Sequence, residues 1–306
     1  MPRLLICGAT NPAGDACLRQ AIGDQGLAMA VAGRRQPPDH PAVPFLFCDL
    51  SAPAAPAAAW PDPAQGGEPL VVVSFAPIWH LAPYLARQLA EQPPWSKGLR
   101  GVVACSSSSV LTKRYASNGF DRALVRRLSL AEALLQASCE HHGLTCQILA
   151  PTLIYGRSGT YTDRNLSQLI PLLKHLPLVP VPKPTGLRQP IHCSQLAAVA
   201  LHLARALAEG GGSADLPRHL PVGGDDTLSY QEMLERLQRL ANRGGRTSLI
   251  PVPARLIYAL AAPLLLVSPK RFEAVLRMGA DLSGFMAAHQ LLQRPPEPFP
   301  LHPLVP

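Results

Sequence analysis

This 306-residue sequence predicts a doubly wound α/β fold: a parallel sheet with a smaller C-terminal lobe. Three observations carry that prediction. Apolar runs without polar alternation recur through the first half, as in strands covered on both faces. Helical stretches separate them, the β-α-β rhythm that right-handed crossovers produce. The rhythm stops after residue 150, where Gly, Pro and Arg mix irregularly.

Taken in order, the expected strands are RLLIC (3–7), LAMAVAG (27–33), PFLFC (44–48), LVVVSFA (70–76), GVVAC (101–105) and TCQILA (145–150). Helices are expected over 13–23, 78–91 and 121–142, the last ending before Gly143. The Ala/Pro-rich segment 51–69 reads as a surface loop. In the second half, 195–209 and 229–241 read as helices and 218–222 as a late strand, with one short helical run between 157 and 190. These assign 1–155 to the sheet domain and 156–306 to the smaller lobe, with elements from about 190–225 free to return to the sheet. The longest apolar run, LIYALAAPLLLV (256–267), is too short to span a bilayer and contains Pro263. It is expected as a core helix, with a weak peripheral membrane contact or a partner-facing helix as the alternatives.

Composition narrows the function classes. The net charge of +8 is scattered singly and in pairs, with no basic tract and no interleaved aromatics, which argues against nucleic acid. A small phosphorylated molecule or a solvated surface accounts for it. Seven cysteines, without C-x-x-C or a nearby His cluster, argue against a zinc site and a disulfide framework, so no metal is expected. Reduced thiols and the lack of a cleavable leader before the glycine loop point to the cytoplasm. The expected partner is a small-molecule substrate; a homodimer is left open.

The loop GATNPAG (8–14) follows the first strand and opens the first helix. Glycines there let backbone approach a pyrophosphate, and helix N-terminal amides meet its charge. Asn11 stands where such loops often carry a middle glycine, and Asn tolerates positive φ better than most side chains. Pro12 early in a helix loses nothing by lacking an amide hydrogen.

At this point the chain resembles the short-chain dehydrogenase/reductase superfamily, in its extended, NAD-dependent epimerase/dehydratase branch, whose domain is Rossmann-like. Six segments carry the resemblance, in order. GATNPAG resembles G-A-T-G-x-x-G, which implies cofactor contacts from Gly8, Thr10, Asn11, Pro12, Ala13 and Gly14. CDL (48–50) resembles the adenine-contacting D-L, here Asp49 and Leu50. VVSFAPIWH (72–80) resembles the segment beneath the ribose, implying Phe75, Ala76 and Pro77. ACSSSSV (104–110) resembles the strand end that carries the catalytic Ser, implying Ser106 at the cofactor and Ser107 as the catalyst. LAPTLIYG (149–156) resembles L-R-P-x-x-x-Y-G, with Pro151 and Thr152 at the cofactor and Ala150 in place of Arg. RQPIHCSQLA (188–197) resembles R-x-x-I-H-V-x-D-L-A, where Arg188 matches a diphosphate-gripping position. Asp163-Arg164-Asn165 leads into the lobe, and Arg164 and Asn165 are expected to touch substrate.

Cofactor choice turns on the end of strand two, where an acid accepts the ribose hydroxyls of NAD and a cation meets the phosphate of NADP. AGRRQ (32–36) favours NADP, with Arg34 and Arg35 as clamps; NAD is the alternative.

The catalytic pattern is broken. The family uses a Tyr for proton exchange and a Lys four residues on, but alignment on Ala131-Glu132 puts Leu124 and Leu128 there. Tyr115, beside Lys113 and Arg114, and His80, with its near-neutral pKa, are the candidate proton carriers. Tyr155 and His192 read as structural. Two functions follow: an NAD(P)-dependent epimerase- or reductase-like enzyme acting on a nucleotide-sugar or related hydroxyl or carbonyl compound, or a non-catalytic cofactor-binding sensor or assembly protein.

Overall fold

The computed structural model describes residues 3–24, 26–52, 69–116, 118–210, 216–241 and 248–302. Eight parallel strands form the central sheet: β1 Arg3–Cys7, β2 Ala28–Gly33, β3 Phe45–Phe47, β4 Leu70–Ser74, β5 Leu99–Cys105, β6 Thr145–Pro151, β13 His219–Gly223 and β16 Met286–Ala287. Their order is β16-β13-β6-β5-β4-β1-β2-β3, so the winding reverses between β1 and β4. Every residue of β4 is buried, which is why its run LVVVS shows no alternation. The six expected N-terminal strands all form; most of the loop expected over 51–69 lies outside the described residues.

Helices α1 (Pro12–Ile22) and α6 (Cys193–Ala208) pack together and share a core with one sheet face; α2 (Ile78–Glu91) and α4 (Gly119–His141) pack together and share the core with the other. A four-residue helix, α3 (Ser109–Thr112), links β5 to α4. The helix α6 begins at His192, a buried residue whose ring accepts from the Ser194 amide while Gln195 accepts from the His192 amide. This capping box supplies acceptors to two amides that the helix start leaves unpartnered.

Between β6 and α6 lie the short strands β7 (Ile154–Tyr155), β8 (Arg157–Ser158) and β9 (Tyr161–Thr162), helix α5 (Leu169–His175), and strands β10 (Leu178–Lys183), β11 (Leu187–Arg188) and β12 (Ile191–His192). Beyond β13 come β14 (Leu228–Ser229), α7 (Tyr230–Ala241), β15 (Ser248–Pro253), α8 (Ala254–Ala261), α9 (Leu264–Val267), α10 (Pro269–Leu276) and α11 (Ala288–Leu292). A third core joins Tyr155, Leu166, Ile170, Leu173 and Val181 to Met233, Leu234, Leu237 and Phe299. Tyr155 is fully buried in it, and its hydroxyl accepts from the Leu301 amide at 3.0 Å.

Two expectations are corrected. The core helix expected over 256–267 is instead two helices broken at Pro263, with Leu260 and Leu266 turned to solvent at 81% and 92% exposure. Its leucines are apolar without being interior, a distinction that a continuous apolar run does not encode. The left-handed turn expected at Asn11 is absent as well: Asn11 is extended, with φ −142°, and Gly8 takes the positive φ of 79°.

Candidate functional site

The reversal between β1 and β4 opens a crevice at the strands' carboxyl ends, the place where open α/β sheets bind ligands. Glycine makes its tight geometry possible. A Cβ at Gly8 would stand 2.5 Å from the Ala76 nitrogen, and one at Gly14 would stand 2.2 Å from the Gly8 oxygen. Neither position tolerates a side chain without moving backbone.

Asn11 ties this crossing together. Its Nδ2 donates to the Gly8 carbonyl at 2.7 Å and the Phe75 carbonyl at 3.1 Å, while its Oδ1 accepts from the Gly14 amide at 3.0 Å. It thus caps α1 and staples the loop to the end of β4. The same bonds change what the loop offers an anion. Pro12 has no amide hydrogen and the Gly14 amide is taken, which leaves the Ala13 amide as the first-turn donor, reinforced by the helix dipole.

A cavity of about 740 Å³ opens on this crossing. Residues 10–13, 75–79, 105–107 and 160–165 line it, together with Leu124, Leu128 and Ile154. The structure therefore brings together Thr10, Asn11, Pro12, Ala13, Phe75, Ala76, Pro77, Ser106, Ser107, Arg164 and Asn165, while Gly8 and Gly14 shape its backbone. Leu124 and Leu128 of α4 are part of the same wall.

The serines differ in what they hold. Ser106 donates through Oγ to Glu132, a buried carboxylate of α4 whose other oxygen lies 3.5 Å from His219 Nε2. Among the described residues Ser107 Oγ pairs with Ser109 alone, at 3.1 Å to its hydroxyl and 3.2 Å to its amide, and it lines the cavity.

The segment after Gly156 forms the opposite wall. Asp163 accepts from the amides of Gly156, Asn165 and Leu166 at 3.1, 2.7 and 2.7 Å, which shapes the turn that presents Arg164 and Asn165. Asn165 Nδ2 donates to the Ile154 carbonyl at 2.9 Å. The β8–β9 hairpin is fastened to α1 by buried Asp15, which accepts from Ser158 Oγ at 2.6 Å and pairs with Arg19 at 2.7 Å. Tyr161, the one tyrosine among the lining residues, rides on this hairpin. Partial burial and the nearby charges of Asp15 and Asp39 push its pKa up, so at neutral pH it is a phenol able to donate.

Other expected site residues lie outside the lining. Arg34 and Arg35 are exposed beyond β2. Asp49, beyond β3, accepts from Ser51 Oγ and amide at 2.6 and 2.9 Å, bonds that hold its carboxyl below the usual range. Leu50 packs beside the core on that side of the sheet. His80 follows the cavity-lining Trp79; partial burial, then the charges of Arg127 and Arg34, lower its pKa. Arg127 stacks on the Trp79 ring at 4.2 Å. Pro151 ends β6, and Thr152 donates through Oγ1 to the Gln189 carbonyl and through its amide to Val222. Tyr115 is 90% exposed. Arg188 is buried, donates to the carbonyls of Leu187, Ala280 and Arg277, and lies 5.2 Å from the Tyr230 ring. Its fork holds the chain near residue 280 in place.

Sequence reasoning did not single out Trp79, Glu132 or Tyr161 as site residues. Tyr161 follows a Gly-Thr turn inside the irregular segment, and only the hairpin's fold brings it to the wall. Among the described residues, no group of acidic, His or Cys side chains is arranged to hold a metal, and no helix is long and apolar enough to cross a membrane.

Solved structures share this architecture. UDP-glucuronic acid 4-epimerase from Bacillus cereus, in complex with NAD, aligns over 96% of this chain and 93% of its own, with a TM-score of 0.61 and 12% identity. A nucleoside-diphosphate-sugar epimerase from Staphylococcus aureus aligns over 97% and 98%, with a TM-score of 0.58 and 17% identity. GDP-mannoheptose C4 reductase from Campylobacter jejuni, with NADP bound, aligns over 82% and 88%, with a TM-score of 0.55 and 14% identity. No family model and no curated protein matches the sequence. At these identities the likeness establishes the fold: a Rossmann-like α/β sheet shared with nucleotide-sugar epimerases and reductases.

Proposed function

We propose that the chain binds NAD(P), with NADP preferred, and acts as an epimerase/dehydratase-like oxidoreductase on a nucleotide-sugar or related hydroxyl or carbonyl compound. The observation that carries this reading is convergence. The glycine loop, the β4 end and the β5 serines face one cavity at the sheet's reversal point, in a fold whose solved neighbours include NAD- and NADP-bound enzymes.

The donor set suits a dinucleotide. Gly8 and Gly14 keep the loop low, the Ala13 amide and the α1 dipole face a diphosphate, and Arg34 and Arg35 at the end of β2 meet the NADP phosphate. Asp49, Leu50, Phe75, Ala76, Pro77, Ser106, Pro151 and Thr152 complete the proposed cofactor surface. A bound nicotinamide would supply or take the hydride. Ser107 polarises the substrate oxygen, Arg164 and Asn165 orient the substrate, and the proton is exchanged with Tyr161 or water. Tyr115 and His80, placed outside the wall, would each have to move to serve in that role. Seven free cysteines suit a reducing cytoplasm.

Leu124 and Leu128 favour a second reading, a cofactor-binding sensor or assembly protein, because they present hydrocarbon where proton transfer would occur. Titration with NADPH and NADH, followed by a panel of aldehydes, ketones and keto-sugars read at the NADPH absorbance band, separates the two. Tighter NADPH binding with substrate-dependent loss of absorbance is expected. Binding without turnover on any compound leaves the sensor, and no binding of either nucleotide defeats both.

A further inference from the structure

The segment from Ala254 to Val267 exposes several large apolar side chains. Leu256 and Leu260, one helical turn apart on α8, and Leu266 and Val267 on α9 all face solvent, with Val267 82% exposed. The inner side is anchored: Ala261 is buried, α8 packs on the β10–β15 ribbon, and Tyr258 lies against Gly279. The ribbon itself leaves Leu178 and Ile250 exposed. Leucines held outward on an anchored scaffold are not interior residues awaiting a fold.

Charge decides what covers them. Between Ser248 and Phe272 the chain has Arg255, Lys270 and Arg271 and no Asp or Glu. All three cations are exposed, and among the described residues none pairs with a carboxylate; Lys270 rests on the Phe120 ring at 3.9 Å. Exposed leucines flanked in the chain by exposed cations, with the nearest acid, Glu273, buried and bonded to the Asn118 amide, match the interface of a bilayer that carries anionic headgroups. A groove-binding protein partner would leave this one-sided charge unexplained. Pro263 and the short helices exclude a span, so the contact lies in the interface plane.

We infer that α8 and α9 dock this protein on an anionic lipid surface, with Leu260, Leu266 and Val267 inserted among the acyl chains and Arg255, Lys270 and Arg271 against the headgroups. The inference is independent of the proposed chemistry. None of these side chains lines the cavity.

Cosedimentation with vesicles tests it. The full chain should pellet with phosphatidylcholine–phosphatidylglycerol vesicles, less at high salt and little with phosphatidylcholine alone. The double variant Leu260→Glu/Leu266→Glu should lose binding at least about tenfold, and each of Arg255→Gln, Lys270→Gln and Arg271→Gln about fivefold on anionic vesicles. Unchanged circular dichroism shows that the variants fold. A wild-type chain that stays in the supernatant overturns the inference, as does a leucine variant that pellets like the wild type. If sedimentation velocity without lipid instead shows wild-type self-association that the leucine variant abolishes, while neither binds vesicles, the patch joins two copies of the chain and the lipid inference fails.

Discussion

The two sides of the cavity are built by different means. On the α1 side Asn11 holds the loop with its own side chain, which caps α1 and bonds Gly8 and Phe75. On the α4 side Leu124 and Leu128 line the cavity and join hydrophobic packing. The α1 side keeps its geometry through a side chain that supplies its own hydrogen bonds; of the α4 residues that line the cavity, Leu124 and Leu128, neither can carry a proton. The α1 side is therefore the polar half of the cavity and the α4 side the apolar half.

The sharpest way to break that comparison is to place a Tyr and a Lys on the α4 side. In Leu124→Tyr/Leu128→Lys the new side chains face the cavity, and a rise in kcat of about a hundredfold is expected from general acid–base catalysis on any substrate the wild type turns over. The lysine costs stability, because Leu128 is 2% exposed and an unpaired ammonium there is poorly solvated. NADPH should recover part of that loss by mass action, visible as a larger ligand-induced rise in Tm than for wild type. No gain in kcat would mean that the α4 side has diverged in more than two residues.

Gly14→Ala probes the other half. Its Cβ would meet the Gly8 oxygen at 2.2 Å, so the loop must open. We expect a loss of about 2 kcal/mol in stability and at least about tenfold in NADPH affinity. Retained affinity would place the cofactor away from this loop.

Much of this division is legible in the sequence, for physical reasons. Strands buried on both faces, such as Val71–Val73, announce themselves as unbroken apolar runs, and a loop fixed by close backbone contact needs glycine at Gly8 and Gly14. What escapes is whatever depends on long-range placement. Tyr161 reaches the wall only because Ser158, three residues before it, bonds Asp15 of α1, a contact 143 residues apart in sequence. The fork of Arg188 looks fit for a diphosphate until three carbonyls are found around it. The leucines of α8 and α9 read as core because hydrophobicity records composition and not the direction a face points.

Asn11 separates the loop's structure from its ligand binding more finely. Asn11→Ala removes the cap and should cost about 1 kcal/mol in thermal or denaturant unfolding. Asn11→Gly should cost only a few tenths, because glycine is tolerated at an N-cap. Both free the Gly14 amide for an anion. NADPH should bind Asn11→Gly at least as tightly as wild type; weaker binding would mean that the Asn11 side chain itself contacts the cofactor.

The smallest expected effect concerns how α4 is held. Its cap, Asn118, accepts from the Asp121 amide at 2.8 Å and donates to the Asp121 carboxylate at 3.0 Å. That carboxylate also pairs with Lys113 at 2.8 Å and with Arg277 of the lobe at 3.1 Å. Burial alone would raise its pKa, but the bonds from Lys113 and Asn118 and the charges of Lys113 and Arg277 outweigh burial and bring it to about 2. A carboxyl depressed on folding binds protons more readily in the unfolded chain. Its stabilising contribution is therefore complete above the ordinary Asp pKa of about 4 and fades as pH falls through about 2. Hydrogen exchange at the Asp121 amide should accelerate across that window. Asp121→Asn should be less stable at neutral pH yet lack this part of the acid transition. If the variant keeps the same acid limb, other carboxylates set it, and the tie between α4 and Arg277 contributes little to holding that wall of the cavity in place.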